Sequence, residues 1–117
     1  MLDIAPAVAD GTATVRLAGE IDLDTAPDLV TVVVNLMLDH DLRHVGIDIA
    51  KVNFMDSSAL AAFVKVSRIV SSHGATLSVR GAAPHIRKMF RLTGIDRVVP
   101  LIDDDSGRGD PGEGPQV

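Results

Sequence analysis

Along most of the chain, stretches of apolar and polar alternation give way to stretches in which apolar residues recur every three to four positions. Each change of period marks a change of element. Leu2, Ile4 and Val8 are spaced as a loose strand up to Asp10-Gly11, after which Ala13, Val15 and Leu17 alternate with Thr12, Thr14 and Arg16. An Asp-Gly pair between two alternating runs predicts a hairpin, because both turn positions need positive φ. Ala18-Gly19 closes the second strand, and Glu20-Ile21-Asp22-Leu23 is short enough for a brief strand or an ordered loop. Thr25-Ala26-Pro27-Asp28 then has the form of a capping box, with Thr25 as N-cap, Asp28 at N3 and Pro27 in the tolerant first turn. Leu29, Val33, Leu36 and Met37 follow at helical intervals. The β-branched run around them pulls toward strand, and the cap and the length decide for helix.

The second half repeats the alternation of periods. Val45, Ile47 and Ile49 alternate with Gly46 and Asp48 from His44 onward, as in a half-buried strand. Ala59, Phe63, Val66 and Val70 then fall on one helical face, with Ala61, Lys65, Arg68 and Ser72 on the other. Asp56 is the natural N-cap of that helix, which places Ser57 and Ser58 in its exposed first turn. Gly74 is positioned to stop it, and Ala75 to Val79 alternate as a further strand. Pro84 opens a short helix with Ile86, Met89 and Phe90 as its apolar stripe and Gly94 as its stop. Val98 to Ile102 reads as a final strand, placed at an edge or a strand end by Pro100. A hairpin followed by alternating helices and strands implies one mixed sheet of the α/β class. With no second apolar segment to cover the other side, the three helices are expected on a single face.

Composition narrows the functional classes. The 117 residues suit one domain, and 46% hydrophobic residues suffice for one core, but aromatics are only 3%, so there is little to stack on nucleic-acid bases. A net charge of -5 and a pI near 5.1 argue against nucleic acid or an anionic membrane as the main partner. The absence of cysteine removes disulfides and thiolate chemistry. Met1 to Pro6 has neither a basic n-region nor an apolar h-region, and no stretch approaches a membrane span, so a cytoplasmic protein is expected, and a small acidic domain without a long exposed apolar helix stripe is expected to be a monomer. From Asp103 the chain becomes acidic and rich in glycine, too poor in apolar residues to offset chain entropy. A folded domain over 1–102 and a disordered tail over 103–117 are expected.

The chemistry-bearing stretch is Asn53-Phe54-Met55-Asp56-Ser57-Ser58-Ala59-Leu60, where a strand gives way to a helix. By itself, Asp56-Ser57-Ser58 need be no more than a helix cap; a hydroxyl held there is nevertheless accessible, among amides that favour an anion. This stretch resembles the phosphorylation loop of the anti-anti-sigma factors, bacterial proteins made of a single STAS domain. Gly19-Glu20-Ile21-Asp22-Leu23-Asp24-Thr25-Ala26 resembles the second recurrent motif of that family, at the expected distance upstream. The layout agrees from about Leu2 to Ile102, and the resemblance implies a mixed sheet with helices on one face. It implies that the unphosphorylated protein binds an anti-sigma factor that is also a serine kinase, freeing a sigma factor for transcription. Ser57 matches the phosphoacceptor, with Ser58 its neighbour, and Asp22, Asp24, Thr25, Asp56 and Ala59 complete the implied partner-binding set. The kinase would supply ATP and Mg²⁺, and a phosphatase would reset Ser57; no cofactor or metal is implied for the chain itself. Ala59 stands where the family usually has glycine, favouring the helix by roughly 1 kcal/mol while adding a methyl group where a partner approaches. Single STAS domains also resemble constitutive subunits of stress-signalling assemblies and lipid-transport machinery, in which the serines would only cap the helix.

Other chemistry has weaker support. Ser57 is not in a Gly-x-Ser-x-Gly elbow, none of His40, His44, His73 or His85 sits in a catalytic motif, and there is no P-loop. His40 and His44 have ligand spacing only if both lie on one helix, and they straddle a helix end and a strand start. Asp103, Asp105 and Asp110 lack the ligand order of a calcium loop. The chain is therefore expected not to be an enzyme.

Overall fold

The computed structural model describes residues 1–102; the stretch expected to be disordered, 103–117, lies outside the described residues. Strand β1 (Leu2–Ala9) and strand β2 (Thr12–Ile21) form the antiparallel hairpin, with Ala9 opposite Thr12. Asp10 and Gly11 both take positive φ, 53° and 79°, as a two-residue turn requires. Helix α1 (Ala26–Asp39) leads to β3 (His44–Met55), α2 (Ser57–Ser72) to β4 (Thr76–Arg80), and α3 (Pro84–Thr93) through a 3₁₀ turn (Ile95–Arg97) to β5 (Leu101–Ile102). The five strands lie in the order β1-β2-β3-β4-β5, and the pairs from β2 onward are parallel.

That order explains the layering. Each crossover from β2 to β5 steps to the next position in the same direction, so right-handed connections put all three helices on the same face. The covered face of the sheet carries Ala13, Val15, Leu17, Val45, Ile47, Ile49, Leu77 and Val79, all buried, and the other face carries Arg16, Asp48, Ser78 and Arg80. The expected helical faces are the ones that pack: Leu29, Val33, Leu36 and Met37 from α1, and Ala59, Phe63, Val66 and Val70 from α2. From α3, Ile86 and Phe90 are buried, and the Phe63 and Phe90 rings meet edge to face at 5.6 Å. Gly74 and Gly94 stop α2 and α3 with φ of 78° and 75°. Among the described residues no helix is long and apolar enough to cross a membrane.

Several boundaries differ from expectation. Both central strands run farther than their alternation, β2 through Glu20–Ile21 and β3 through Met55. Register shifts between Arg16 and Ala18 and between Gly19 and Glu20 re-phase them, so that Val52 and Met55, three apart, both point inward. The last strand is shorter: the amides of Val98 and Val99 bond the Ile95 carbonyl and continue the 3₁₀ turn. Only Leu101–Ile102 pair with β4, helped by the Val79 amide donating to the Pro100 carbonyl at 2.9 Å.

Candidate functional site

The parallel strands all end at one edge of the sheet, and two neighbouring ends build the site. Ile21 and Met55 are opposite each other in the last rung between β2 and β3, and the Asp56 amide donates to the Ile21 carbonyl at 3.3 Å. The loop after β2 and the turn into α2 are thereby held side by side. The two sequence motifs meet here although they are more than thirty residues apart in the chain.

Asp56 is extended (φ -114°, ψ -170°), and its Oδ1 accepts the amides of Ser58 at 2.8 Å and Ala59 at 3.2 Å. The expected N-cap is therefore present, satisfying donors that the helix cannot satisfy itself. Ser57 is the first helical residue and is exposed. Ser58 is half-buried and turns toward α1 rather than sharing the exposure expected of it. Ala59 is fully buried in the core. Its methyl group therefore adds no bulk to the surface, contrary to expectation, because position 59 begins the inward stripe of α2.

The opposite loop is organised by Asp22 rather than by Thr25. Asp22 Oδ1 accepts the amides of Asp24 at 3.0 Å and Thr25 at 3.1 Å, with the Thr25 hydroxyl 3.2 Å away. The Thr25 amide above all, with the Asp24 amide, holds the Asp22 carboxyl below the ordinary carboxylate range against some opposing desolvation. Thr25 sits at the N-cap position of α1 but makes no side-chain cap. Its hydroxyl instead donates to the Glu20 carbonyl at 2.9 Å and accepts the Asp22 amide at 2.9 Å. The capping-box reading fails because Thr25 adopts helical φ and ψ (-99°, -23°), which turns the side chain back toward the strand end. Asp24 is exposed.

Gly19 shows why this motif begins with glycine. Its φ is +116°, and an added Cβ would collide with the Met1 carbonyl oxygen. This backbone turns at the second register shift, immediately before the Asp22 loop.

Two exposed apolar side chains within the two motifs have no counterpart in the sequence pattern. Phe54 is 49% exposed and Leu23 is 73% exposed, although both are large and apolar. Leu23, Pro27 and Val30 form one wall of a groove of about 430 Å³ between α1 and α2, with Ser58, Ala61 and Lys65 on the other. Exposed apolar groups at the rim of a site are the usual anchors of a protein interface. The available signal was that Leu23 and Phe54 lie outside both periodic patterns. Of the histidines, His40 ends α1 and His44 opens β3, where its ring nitrogens lie 2.7 Å from Thr76 Oγ1 and 2.9 Å from Ser78 Oγ, away from Ser57.

The family model described as "Mlab, STAS domain" matches residues 4–102. The chain belongs to the STAS domain family. This STAS domain is 30% identical over 94 residues to a protein of Staphylococcus epidermidis named anti-sigma-B factor antagonist, covering 80% of this chain and 86% of that one. An anti-sigma factor antagonist from Mycobacterium paratuberculosis has a similar structure, with a TM-score of 0.76 and 27% identity over 86% of this chain and 85% of that one. The Bacillus cell fate determinant SpoIIAA in its phosphorylated form shares the fold, with a TM-score of 0.68 and 18% identity over 86% and 90% of the two chains. The mixed five-stranded sheet with three helices on one face is thus the STAS arrangement, as the two motifs implied.

Proposed function

We propose that this STAS domain is an anti-sigma factor antagonist whose partner binding is switched by phosphorylation of Ser57. The observation that carries the reading is Ser57 itself: an exposed hydroxyl at the first position of a helix capped by Asp56, tied through the Ile21 carbonyl to the Asp22 loop. Relatives named anti-sigma-B factor antagonist, and a phosphorylated form of a protein of this fold, support it. In this reading the unphosphorylated domain binds an anti-sigma factor with serine kinase activity and releases a sigma factor. The partner supplies ATP and Mg²⁺, a phosphatase resets Ser57, and the domain catalyses nothing. Asp22, Asp24, Asp56 and Ser57 form the polar part of the partner face, with Thr25 and Ser58 positioning it and Ala59 packing beneath.

The chemistry of the switch follows from the site. A phosphoryl group adds about -1.5 to -2 charges and three strong acceptors. At a helix N-terminus this charge is locally favourable, so the fold is retained. In a complex, however, the same group must be desolvated beside the carboxylates of Asp56 and Asp22, at a cost of several kcal/mol. Every ~1.4 kcal/mol is tenfold in affinity, so phosphorylation or Ser57→Asp should weaken binding by at least tenfold. The test is a pull-down from lysate of the source organism with wild-type, Ser57→Ala and Ser57→Asp baits. A serine-kinase ATPase retained by the first two and lost with the third is the expected result. Identical partners on all three baits would overturn the switch and favour a constitutive STAS subunit.

A further inference from the structure

The composition of β1 is at odds with its position. It is an edge of the sheet, and among the described residues no strand pairs with its outer side. Only Leu2 and Ile4 are half-buried against the core, and the rest of the strand is exposed. Yet Asp3 is its one polar side chain. Edge strands normally carry lysine or inward-pointing charge, because their free amides and carbonyls are a template for another strand. Here Pro6 is the only such guard.

The hairpin fixes which backbone groups are free. Across a two-residue turn the flanking residues exchange hydrogen bonds, so Ala9 and Thr12 are a bonded pair and bonded pairs alternate from there. Asp3, Ala5, Ala7 and Ala9 therefore direct their backbone groups at β2. The Glu20 amide, donating to the Met1 carbonyl at 2.9 Å, keeps the same alternation. Leu2, Ile4, Pro6 and Val8 direct theirs outward, while their side chains share the helix side of the sheet with Val15 and Leu17. Pro6 thus costs the hairpin no bond and leaves a gap in the outer row of donors.

We infer that β1 pairs with β1 of a second copy, antiparallel about a two-fold axis at Ala5, so that two sheets join into one. An antiparallel edge is self-complementary, as an isologous contact requires. In this register Leu2 is opposite Val8 of the second copy, and Ile4 is opposite Pro6. Leu2, Ile4 and Val8 of each copy then donate across the seam, and only the Pro6 nitrogens do not. An axis at Ile4 or at Pro6 would bring fewer donors opposite acceptors. Val8, 37% exposed in one copy, is covered by Leu2 of the other. The two Asp3 positions lie ~14 Å apart, at ~3.4 Å per residue, beyond the ~10 Å Debye length at 0.1 M salt. The seam is shorter than the roughly 20–30 residues a side of a stable interface, so the dimer is reversible and depends on concentration. Both Ser57 turns stay uncovered, at opposite ends of the joined sheet. The expectation of a monomer rested on the helices and not on this edge.

The chain lacks cysteine, so single cysteines can report the register in the full-length protein. Ala5 and Ala7 are exposed and lie on the open face, opposite Arg16 and Thr14. At the axis, the cysteine of Ala5→Cys meets its own copy as a non-hydrogen-bonded pair, with Cβ atoms ~4.5–5.5 Å apart, close to disulfide geometry. The two Ala7 positions are ~14 Å apart. In air, Ala5→Cys should cross-link mostly to dimer and Ala7→Cys should not. Sedimentation of the wild type over a hundredfold range of concentration should show reversible exchange between monomer and dimer. Val8→Lys places a charge in the seam and should move dimerisation to at least tenfold higher concentration, with little change in Tm. Three results would overturn the inference: a wild type that stays monomeric throughout, since Pro6 alone would then guard the edge; cross-linking of Ala7→Cys as fast as Ala5→Cys; or a dimer that survives Val8→Lys.

Discussion

Replacing Asp56 by alanine removes the cap of α2 without touching Ser57. The carboxylate accepts two amides, at 2.8 Å and 3.2 Å, and lies at the positive end of a sixteen-residue helix. Loss of an N-cap side chain costs typically ~1 kcal/mol within a range of ~0.5–2, and loss of a favourable charge at that end adds ~0.3–1. The sum, about 1.5 kcal/mol, corresponds to a fall in Tm of roughly 6–12 °C for a domain of this size. Asp56→Asn keeps an acceptor and loses only the charge, so it should recover most of the difference. Ser57→Asp adds negative charge in the same turn and should leave Tm unchanged or raise it by a few degrees. Thermal denaturation followed by circular dichroism at neutral pH and low salt measures all three. The reasoning fails if Asp56→Ala melts with wild type, since the cap would then contribute nothing. It also fails if Ser57→Asp melts more than about 5 °C below wild type, since the switch would then act through folding and not through partner binding.

Two further outcomes follow from the Asp22 loop and the turn before it. Gly19→Ala combines an unfavourable positive φ with a collision against the Met1 carbonyl, so it should cost about 1–3 kcal/mol in urea denaturation; an unchanged midpoint would show that β1 moves aside freely. The depressed pKa of Asp22 means that the folded state holds the ionised carboxyl more firmly than the unfolded chain does. Its stabilising contribution is complete above the ordinary aspartate pKa of about 3.9 and is lost as pH falls through the lower folded value. Below pH 4, Asp22→Asn should therefore lose stability less steeply than wild type.

Periodicity was most informative where burial is one-sided. The inward faces of α1 and α2, the hairpin turn and the stop residues Gly74 and Gly94 could all be read because each has a local physical cause. The extensions of β2 and β3 could not, because register shifts break the two-residue period at the point where the strands approach the site. Thr25 misled for a related reason: its sequence context is that of a cap, but the decisive partner is the Glu20 carbonyl, supplied by the strand end. Ala59 was placed on the surface by motif comparison, although its own membership of the inward helical stripe already argued for burial. Leu23 and the groove behind it depend on how α1 packs beside α2, a tertiary relation with no counterpart in either segment alone.

The arrangement of the strands in chain order also has a consequence for synthesis. Sheet neighbours are chain neighbours throughout, and no later strand has to be inserted between earlier ones. A ribosome that has released the chain as far as α2 has already delivered both loops of the site, each with its own strand partner. The remaining β4, α3 and β5 extend the sheet and complete the core, where Phe90 of α3 meets Phe63 of α2. Assembly can therefore proceed vectorially from the N-terminal hairpin, with short loop closures at each step, and β2 and β3 can pair before β4, α3 and β5 have emerged.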